Sequence, residues 1–222
     1  MGDAKKDPPA DPNGGIPKAV VARLSLYLRE LQQHIAANQA TTSSRLLGRK
    51  LGFTDAQVRK DLAYFGHFGY PGIGYRCEEL VQAIRAILGT DRRWPVAMIG
   101  AGNLGRALLG YKGFQQQGFE IVAAFDSDPR KVGDKIDTVT IYDLDRLPDL
   151  VREHRIRIGL ISVPAASAQS AADQLVAAGV DGILNFAPVT LTLPAGIRKI
   201  GVDLAIQLEQ LSFAVLNPDT PD

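Results

Sequence analysis

The sequence predicts an α/β protein: an N-terminal winged-helix domain, then a Rossmann-like doubly wound parallel sheet, then an apolar C-terminal helix. Three observations predict it. The apolar run Val96-Ala97-Met98-Ile99 breaks into Gly100-Ala101-Gly102-Asn103-Leu104-Gly105 and opens a helical pattern with Leu108, Leu109 and Tyr111, as in a dinucleotide-binding strand–turn–helix. From there to residue 203, β runs alternate with helical patterns, the signature of a parallel sheet. Ahead of it, three helical patterns lead into a ten-residue stretch, Gly66 to Tyr75, that holds four glycines and a proline, which reads as a hairpin.

The 222 residues leave room for two small domains. Hydrophobic residues at 45% and charged residues at 22% are ordinary for a soluble globular chain. No apolar run approaches the ~20 residues needed to cross a membrane. Residues 1–13 are polar and proline-rich without an apolar core, so they do not read as a secretory signal; residues 1–16 are expected to form a disordered tail. A single cysteine, Cys77, excludes an internal disulfide and a cysteine-based metal cluster and suits the cytoplasm; its expected role is that of a small buried hydrophobe. Residues 1–89 carry 12 Lys+Arg against 8 Asp+Glu, a net of +4, and residues 90–222 carry 13 against 16, a net of −3. A basic front and an acidic back suggest two domains with different partners.

Domain boundaries are expected at 17–89 for the winged helix, 90–203 for the nucleotide-binding sheet and 204–222 for the last helix and tail. Pro17 suits the first position of a helix, and Val20, Leu24, Tyr27, Leu28, Leu31 and Ile35 then recur at helical spacing. Ser43 or Ser44 caps a second helix that stops at Gly52. Thr54 and Gln57 fit a capping box at the start of a third, where Val58, Leu62 and Phe65 share the inner face. Gln57, Arg59, Lys60 and Tyr64 lie on the outward arc. Two short helices joined by a glycine turn, the second showing Gln, Arg and Lys, describe a helix-turn-helix, and those side chains suit purine edges in the major groove. The candidate DNA contacts are Ser43, Ser44, Arg45, Thr54, Gln57, Arg59, Lys60 and Tyr64, with Gly72 and Tyr75 on a wing running from Tyr70 to Tyr75. A solvated charged face is the plainer alternative. Glu79 to Leu88 reads as a linking helix, and 89–95 as the boundary between domains.

In the second domain Gly100 permits a tight turn, Gly102 a close approach to a pyrophosphate, and Gly105 close packing of helix on strand. A second β run, 120–125, ends in Asp126, where an acid meets adenosine ribose hydroxyls. Residues 129–140 show no pattern; Leu144 to Val151 is a helix, 157–163 a strand, 165–178 a helix, and 182–186 and 197–202 strands. Ligands in such sheets sit beyond the carboxyl ends of the strands. The candidate cofactor contacts are therefore Gly100, Ala101, Gly102, Asn103, Leu104, Gly105, Asp126, Val163, Pro164, Asn185 and Phe186. Leu204 to Leu216 is apolar on more than one face and wants burial on both sides, either on its own sheet or in a second subunit.

A nicotinamide-binding domain suggests hydride transfer, but no acid–base set can be assembled. His34 and His67 fall in the first domain, His154 lies away from the ligand edge, and no tyrosine has a lysine four residues on. Tyr111, Lys112, Ser162 and Asp203 are the groups able to approach a cofactor, without a nucleophile–base–orienter arrangement. No catalytic residue and no metal site are expected. The alternatives are an NAD-dependent oxidoreductase and a coenzyme A-binding regulatory protein.

Six stretches occur in a fixed order: Gln57 to Gly66 (QVRKDLAYFG), Gly72-Ile73-Gly74-Tyr75, the Gly100–Gly105 turn, Asp126 to Gly133 (DSDPRKVG), Ile183 to Pro188 (ILNFAP) and Leu211 to Pro218 (LSFAVLNP). Together they resemble the Rex family of redox-sensing transcriptional repressors. The resemblance runs from Pro17 to Pro218. It implies a homodimer on a palindromic double-stranded DNA operator, with NADH and NAD+ as regulatory ligands and NADH releasing the DNA. It also implies that the final helix is swapped into the partner's nucleotide domain. Tyr111 and Asp203 match positions that couple the nicotinamide pocket to subunit orientation in that family, and Arg29 matches an arginine that switches partners with them. Ala63, where serine is common, and the long N-terminal tail are departures.

Overall fold

The computed structural model describes residues 16–218, and the chain forms two units, divided between Arg92 and Arg93. The expected tail, except Ile16, and the last four residues lie outside the described part.

In the first unit α1 (Lys18–Ala36) buries Val20, Leu24, Tyr27, Leu28 and Leu31 along one stripe. The Ser43 hydroxyl accepts from the Leu46 amide at 3.2 Å and starts α2 (Ser44–Leu51); Thr54 accepts from the Gln57 amide at 3.1 Å and starts α3 (Asp55–Ala63). One orphan amide of each helix start is thereby satisfied. The other arm of the expected capping box is not made, because the Gln57 side chain turns along the helix to Asp61. α4 (Cys77–Leu88) begins two residues before the expected Glu79, with Glu78 and Glu79 in its first turn, where the helix dipole favours carboxylates. Leu47, Val58, Leu62, Cys77, Leu80 and Ile84 complete the core.

The glycine-rich stretch folds into β2 (Gly69–Tyr70) and β3 (Gly74–Arg76), antiparallel, and β1 (Thr41–Thr42) adds to the far side of β3. β1 is absent from the sequence expectation because two residues are too few to show a period. Tyr75 corrects an expectation: it is 8% exposed and packs into the core, so the wing presents Tyr70, Pro71, Gly72 and Ile73 instead.

The second unit runs β4 (Trp94–Ile99), α5 (Asn103–Leu109), α6 (Gly113–Gln116), β5 (Phe119–Phe125), β6 (Lys135–Ile136), β7 (Val139–Tyr142), α7 (Leu147–Glu153), β8 (Ile158–Ile161), α8 (Ala165–Ala178), β9 (Gly182–Asn185), β10 (Arg198–Gly201) and α9 (Leu204–Leu216). The sheet order is β10-β9-β8-β4-β5-β7-β6, parallel throughout except β6. Counting only the parallel strands in chain order, this is the 3-2-1-4-5-6 order of dinucleotide-binding folds, with its switch point between β4 and β8. β4 alternates Ala97 and Ile99 toward α7 and α8 with Val96 and Met98 toward α5 and α6. Both faces are covered, which is why the run is apolar throughout.

Two expectations fail here. Residues 129–134 are irregular as expected, but 135–140 are not: β6 and β7 form a hairpin, and β7 extends the sheet beside β5; its polar threonine and short length hid the alternation. The helix after Gly105 stops at Leu109, leaving Tyr111 in the connection to α6. α9 does not pack on its own sheet. None of its residues is buried, and its seven large apolar side chains are 46–77% exposed. Among the described residues no helix is long and apolar enough to cross a membrane, and no group of three or more His, Cys, Asp or Glu is placed to hold a metal.

Candidate functional site

The Gly100–Gly105 turn leaves β4 at the switch point, and its three glycines meet three different surroundings. Gly100 has φ +104°, and a Cβ there would lie 2.6 Å from the Ser162 carbonyl oxygen at the end of β8. A Cβ on Gly105 would lie 2.0 Å from the Gly100 carbonyl oxygen, so α5 closes on the strand only without one. Around Gly102 a Cβ would meet nothing within 4 Å. Two glycines are demanded by the protein's own backbone. The third is demanded by nothing among the described residues, which is what a position kept open for a ligand looks like. The Ser162 hydroxyl donates to the Gly100 carbonyl at 2.8 Å and fixes the turn.

Of the expected contacts on this turn, Gly100 and Ala101 have spent their amides: Gly100 donates to the Phe125 carbonyl and Ala101 to Asp126 Oδ2, both at 2.8 Å. The amides at the α5 start, from Asn103 to Gly105, lack intrahelical acceptors, and this helix start follows directly on the end of β4, the arrangement that favours a phosphate. Asn103 and Leu104 are exposed there.

Asp126 sits where predicted, at the end of β5, but its carboxylate is already engaged. Besides Ala101 it accepts from the Asp128 amide at 2.9 Å and from Lys131 Nζ at 2.9 Å. Burial alone pushes this carboxyl up, yet the Lys131 ammonium and the two amides outweigh that and hold it below the usual carboxylate range. Three donors on two oxygens leave acceptor capacity for a ribose hydroxyl. Lys131 was missed from sequence; an ammonium five residues past an acid is a signal only once the turn between them is known.

Val163 packs against the core beside Gly100, and Pro164 is the exposed residue preceding α8. Asn185 stands at the ligand edge and lines the cavity that opens there, but its side-chain amide is engaged. It is 4% exposed and its side chain staples its own loop, donating to the Ala187 and Val189 carbonyls and accepting from the Ala187 amide. Phe186 packs against the sheet. Beyond these strand ends opens a cavity of about 520 Å³ lined by Ala187, Pro188, Lys199, Val202, Asp203 and Gln207, within the range of small-molecule sites. Asp203 caps α9, accepting from the amides of Ala205 at 2.9 Å and Ile206 at 3.4 Å. Tyr111, 58% exposed, folds over Gly113 and stands edge-on to Phe114, with centroids 5.1 Å apart. Tyr111 and Asp203 do not hydrogen-bond each other among the described residues. Arg29 is exposed on α1.

In the first unit α3 presents Arg59 and Lys60 on an exposed face, Arg59 donating to Asp55 at 2.7 Å and Ser44 at 3.1 Å. Arg45 is exposed, Tyr64 half-buried at the helix end, and Ser43 and Thr54 are caps. A residue absent from the sequence reading lies behind this face: Asp61, fully buried, accepting from Arg23, Tyr27 and Gln57. Its signal was a carboxylate on the same helix face as Val58 and Leu62.

Comparison with known proteins places both units. Residues 15–63 match a family model described as "Putative DNA-binding protein N-terminus", and residues 91–189 match one described as "CoA binding domain". A protein of Pelotomaculum thermopropionicum called redox-sensing transcriptional repressor Rex is 44% identical over 205 residues, covering 92% of this chain and 96% of that protein. Its namesake in Carboxydothermus hydrogenoformans is 47% identical, covering 90% and 96%. The crystal structure of RSP with β-NAD+ and operator DNA superposes with TM-score 0.86 at 38% identity, covering 92% of this chain and 94% of that one. RSP with β-NADH gives 0.83 at 37%, covering 92% and 95%.

Proposed function

The chain belongs to the Rex family of redox-sensing transcriptional repressors, and on that premise we propose that it represses transcription by binding a palindromic operator as a homodimer and leaves the operator when NADH binds. The observation that carries this reading is the switch-point turn: a Cβ is refused at Gly100 and Gly105 and met by nothing at Gly102, in a chain whose other unit shows Arg59 and Lys60 on an exposed helix.

Each unit then has a task. The amides from Asn103 to Gly105 hold a pyrophosphate, and Asp126 accepts from a ribose hydroxyl through its remaining capacity. An ionised carboxylate there repels a 2′-phosphate, so NADH is favoured over NADPH. The cavity between the ends of β9 and β10 and the start of α9 takes the nicotinamide side, with Asp203 and Tyr111 as the groups that report its state. NAD+ and NADH differ by one charge at the ring, and the cofactor supplies that charge difference as a signal and no hydride. Asp203 both lines the cavity and caps α9, so the ring's charge bears directly on the root of that helix.

An uncovered surface supports the dimer. Met98, Leu160, Leu184 and Ile200 stand in one row across β4, β8, β9 and β10. Met98 is fully buried, Leu160 4% exposed, Leu184 half-buried and Ile200 67% exposed. Among the described residues no helix covers the outer end of that row, while α9 stands away with its apolar faces bare. A second copy's α9 fits the vacancy, and the exchange is mutual in a two-fold dimer. Two α3 helices reading a two-fold operator must lie about one DNA turn apart, roughly 34–36 Å. A ligand shifts that arrangement only by its differential affinity for the two states, and the coupling is reciprocal: operator DNA weakens NADH binding by the same factor. The chain acts where the DNA is, in the cytoplasm, and does no catalysis; sustained oxidation of NADH with a carbonyl substrate would overturn that.

The test is a titration of NADH and of NAD+ into a fluorescent operator complex. NADH releases the DNA at concentrations where NAD+ does not; equal release by both ends the sensor reading. The match of residues 91–189 to a coenzyme A-binding model favours a second ligand reading, and calorimetry of NADH against coenzyme A decides between them.

A further inference from the structure

We propose that Asp61 is a positioning residue for base reading: it holds the Gln57 amide in the one orientation that is complementary to adenine. The inference rests on α3 being the recognition helix. Asp61 lies one helical turn beyond Gln57, and its side chain is wholly buried. Four donors reach it. Oδ2 accepts from Arg23 Nε at 2.6 Å and the Tyr27 hydroxyl at 2.7 Å; Oδ1 accepts from Arg23 Nη2 at 2.8 Å and Gln57 Nε2 at 2.7 Å. A carboxylate offers about four lone-pair sites, and here each oxygen takes two donors, so none is spare.

That saturation fixes the glutamine. Turned the other way, the amide would set its own carbonyl oxygen against a buried carboxylate, two acceptors with no proton between them. Nε2 therefore faces inward, and Oε1 with the second N–H remains for an outside partner. Adenine's major-groove edge offers one donor, N6, and one acceptor, N7, matching that pair; guanine offers two acceptors and opposes Oε1. Asp61 is in turn anchored from α1 by a two-point guanidinium contact, the geometry with least rotational freedom, and Arg23 itself lies over the Phe53 ring at 5.9 Å. The amide thus reaches DNA already oriented, with its rotamer freedom removed in advance.

The experiment uses duplexes that the full-length chain selects from a randomised double-stranded pool, with each base pair then varied singly. Affinities are measured for the wild-type chain, Gln57→Ala, Asp61→Asn and the double variant. At the position where Gln57→Ala abolishes a preference for A·T, Asp61→Asn is expected to cut that preference roughly tenfold, leave other positions unchanged, and add nothing to Gln57→Ala. An equal loss on every duplex, or an additive double variant, marks a merely structural clamp and overturns the proposal. Should Asp61→Asn not fold, ¹⁵N spectra of the wild-type chain decide: a Gln57 side-chain amide with one proton protected from exchange and the other exchanging freely supports it, and free exchange of both with water overturns it. If Arg59→Ala leaves DNA binding unchanged, the recognition helix itself is wrong and the proposal falls with it. If Arg59→Ala weakens binding but Gln57→Ala alters no base preference, Asp61's role alone is refuted.

Discussion

Replacing Gly102 with alanine separates what the fold requires from what the ligand requires. Gly102 has φ −77° and ψ −165°, extended backbone open to any residue. The new methyl meets nothing within 4 Å. Lower entropy of the unfolded chain favours the substitution by about 0.4–1 kcal/mol, while alanine at the helix N-cap position loses a comparable amount, so the net stability change is within about 1 kcal/mol of zero. A pyrophosphate seated on this turn meets the methyl directly, and NADH affinity is expected to fall at least tenfold, about 1.4 kcal/mol. Gly105→Ala is the control with the opposite balance. Its methyl starts 2.0 Å from the Gly100 carbonyl oxygen, where real contacts stay above 3.0 Å, so α5 must retreat by about 1 Å from a backbone that cannot yield. Overpacking of that kind costs ~1–3 kcal/mol, a fall in Tm on the order of 5–10 °C. Calorimetric NADH titration and thermal melts of both variants form the assay. Unchanged NADH affinity in Gly102→Ala, with a folded protein, refutes the assignment of this turn to the ligand.

Three further outcomes follow from other parts of the molecule. Arg59→Ala or Lys60→Ala weakens operator binding and lowers the salt slope by about one while NADH affinity holds, because each removes one charge that neutralises a phosphate; an unchanged slope and affinity would place the DNA elsewhere. Burial pushes the Asp61 carboxyl up, but Arg23, Tyr27 and Gln57 together hold it below its ordinary value of 3.8. A depressed folded-state value gives stability that is present above the unfolded value and lost as pH falls through the folded one, so thermal stability drops below about pH 4 and Asp61→Asn flattens that drop; a variant with the same acid profile would contradict it. Leu208, 66% exposed on α9, contributes ~1.5–3 kcal/mol if covered by a partner, so Leu208→Glu raises the dimer dissociation constant more than tenfold in sedimentation equilibrium, and an unaffected dimer would exclude α9 from the interface.

Local chemistry made much of this protein legible before its structure. Ser43, Thr54, Gly52 and Gly179 bound helices through interactions only two to four residues long, so α2, α3 and α8 start or stop where their residues say. Gly100, Gly102 and Gly105 were assigned three tasks from spacing alone, and the surroundings of their absent Cβ atoms differ in the same way. β1, β6 and the short β7 were illegible for the converse reason: two to four residues carry no period, and each is defined by the strand it pairs with.

The sequence by itself determined the order of elements, the switch-point turn and the acid at the end of β5, because each rests on neighbours along the chain. Tertiary structure alone decided how the polar groups are spent. Tyr75 and Asn185 looked available and are consumed, one in the core and one in its own loop. Asp61, given no role from sequence, is the hub of four hydrogen bonds because Arg23 and Tyr27, more than thirty residues earlier, arrive beside it. Asp126 looked free and is paired with Lys131. Which donor finds an acceptor depends on packing between elements distant in sequence, and a buried carboxylate binds whichever donors that packing delivers.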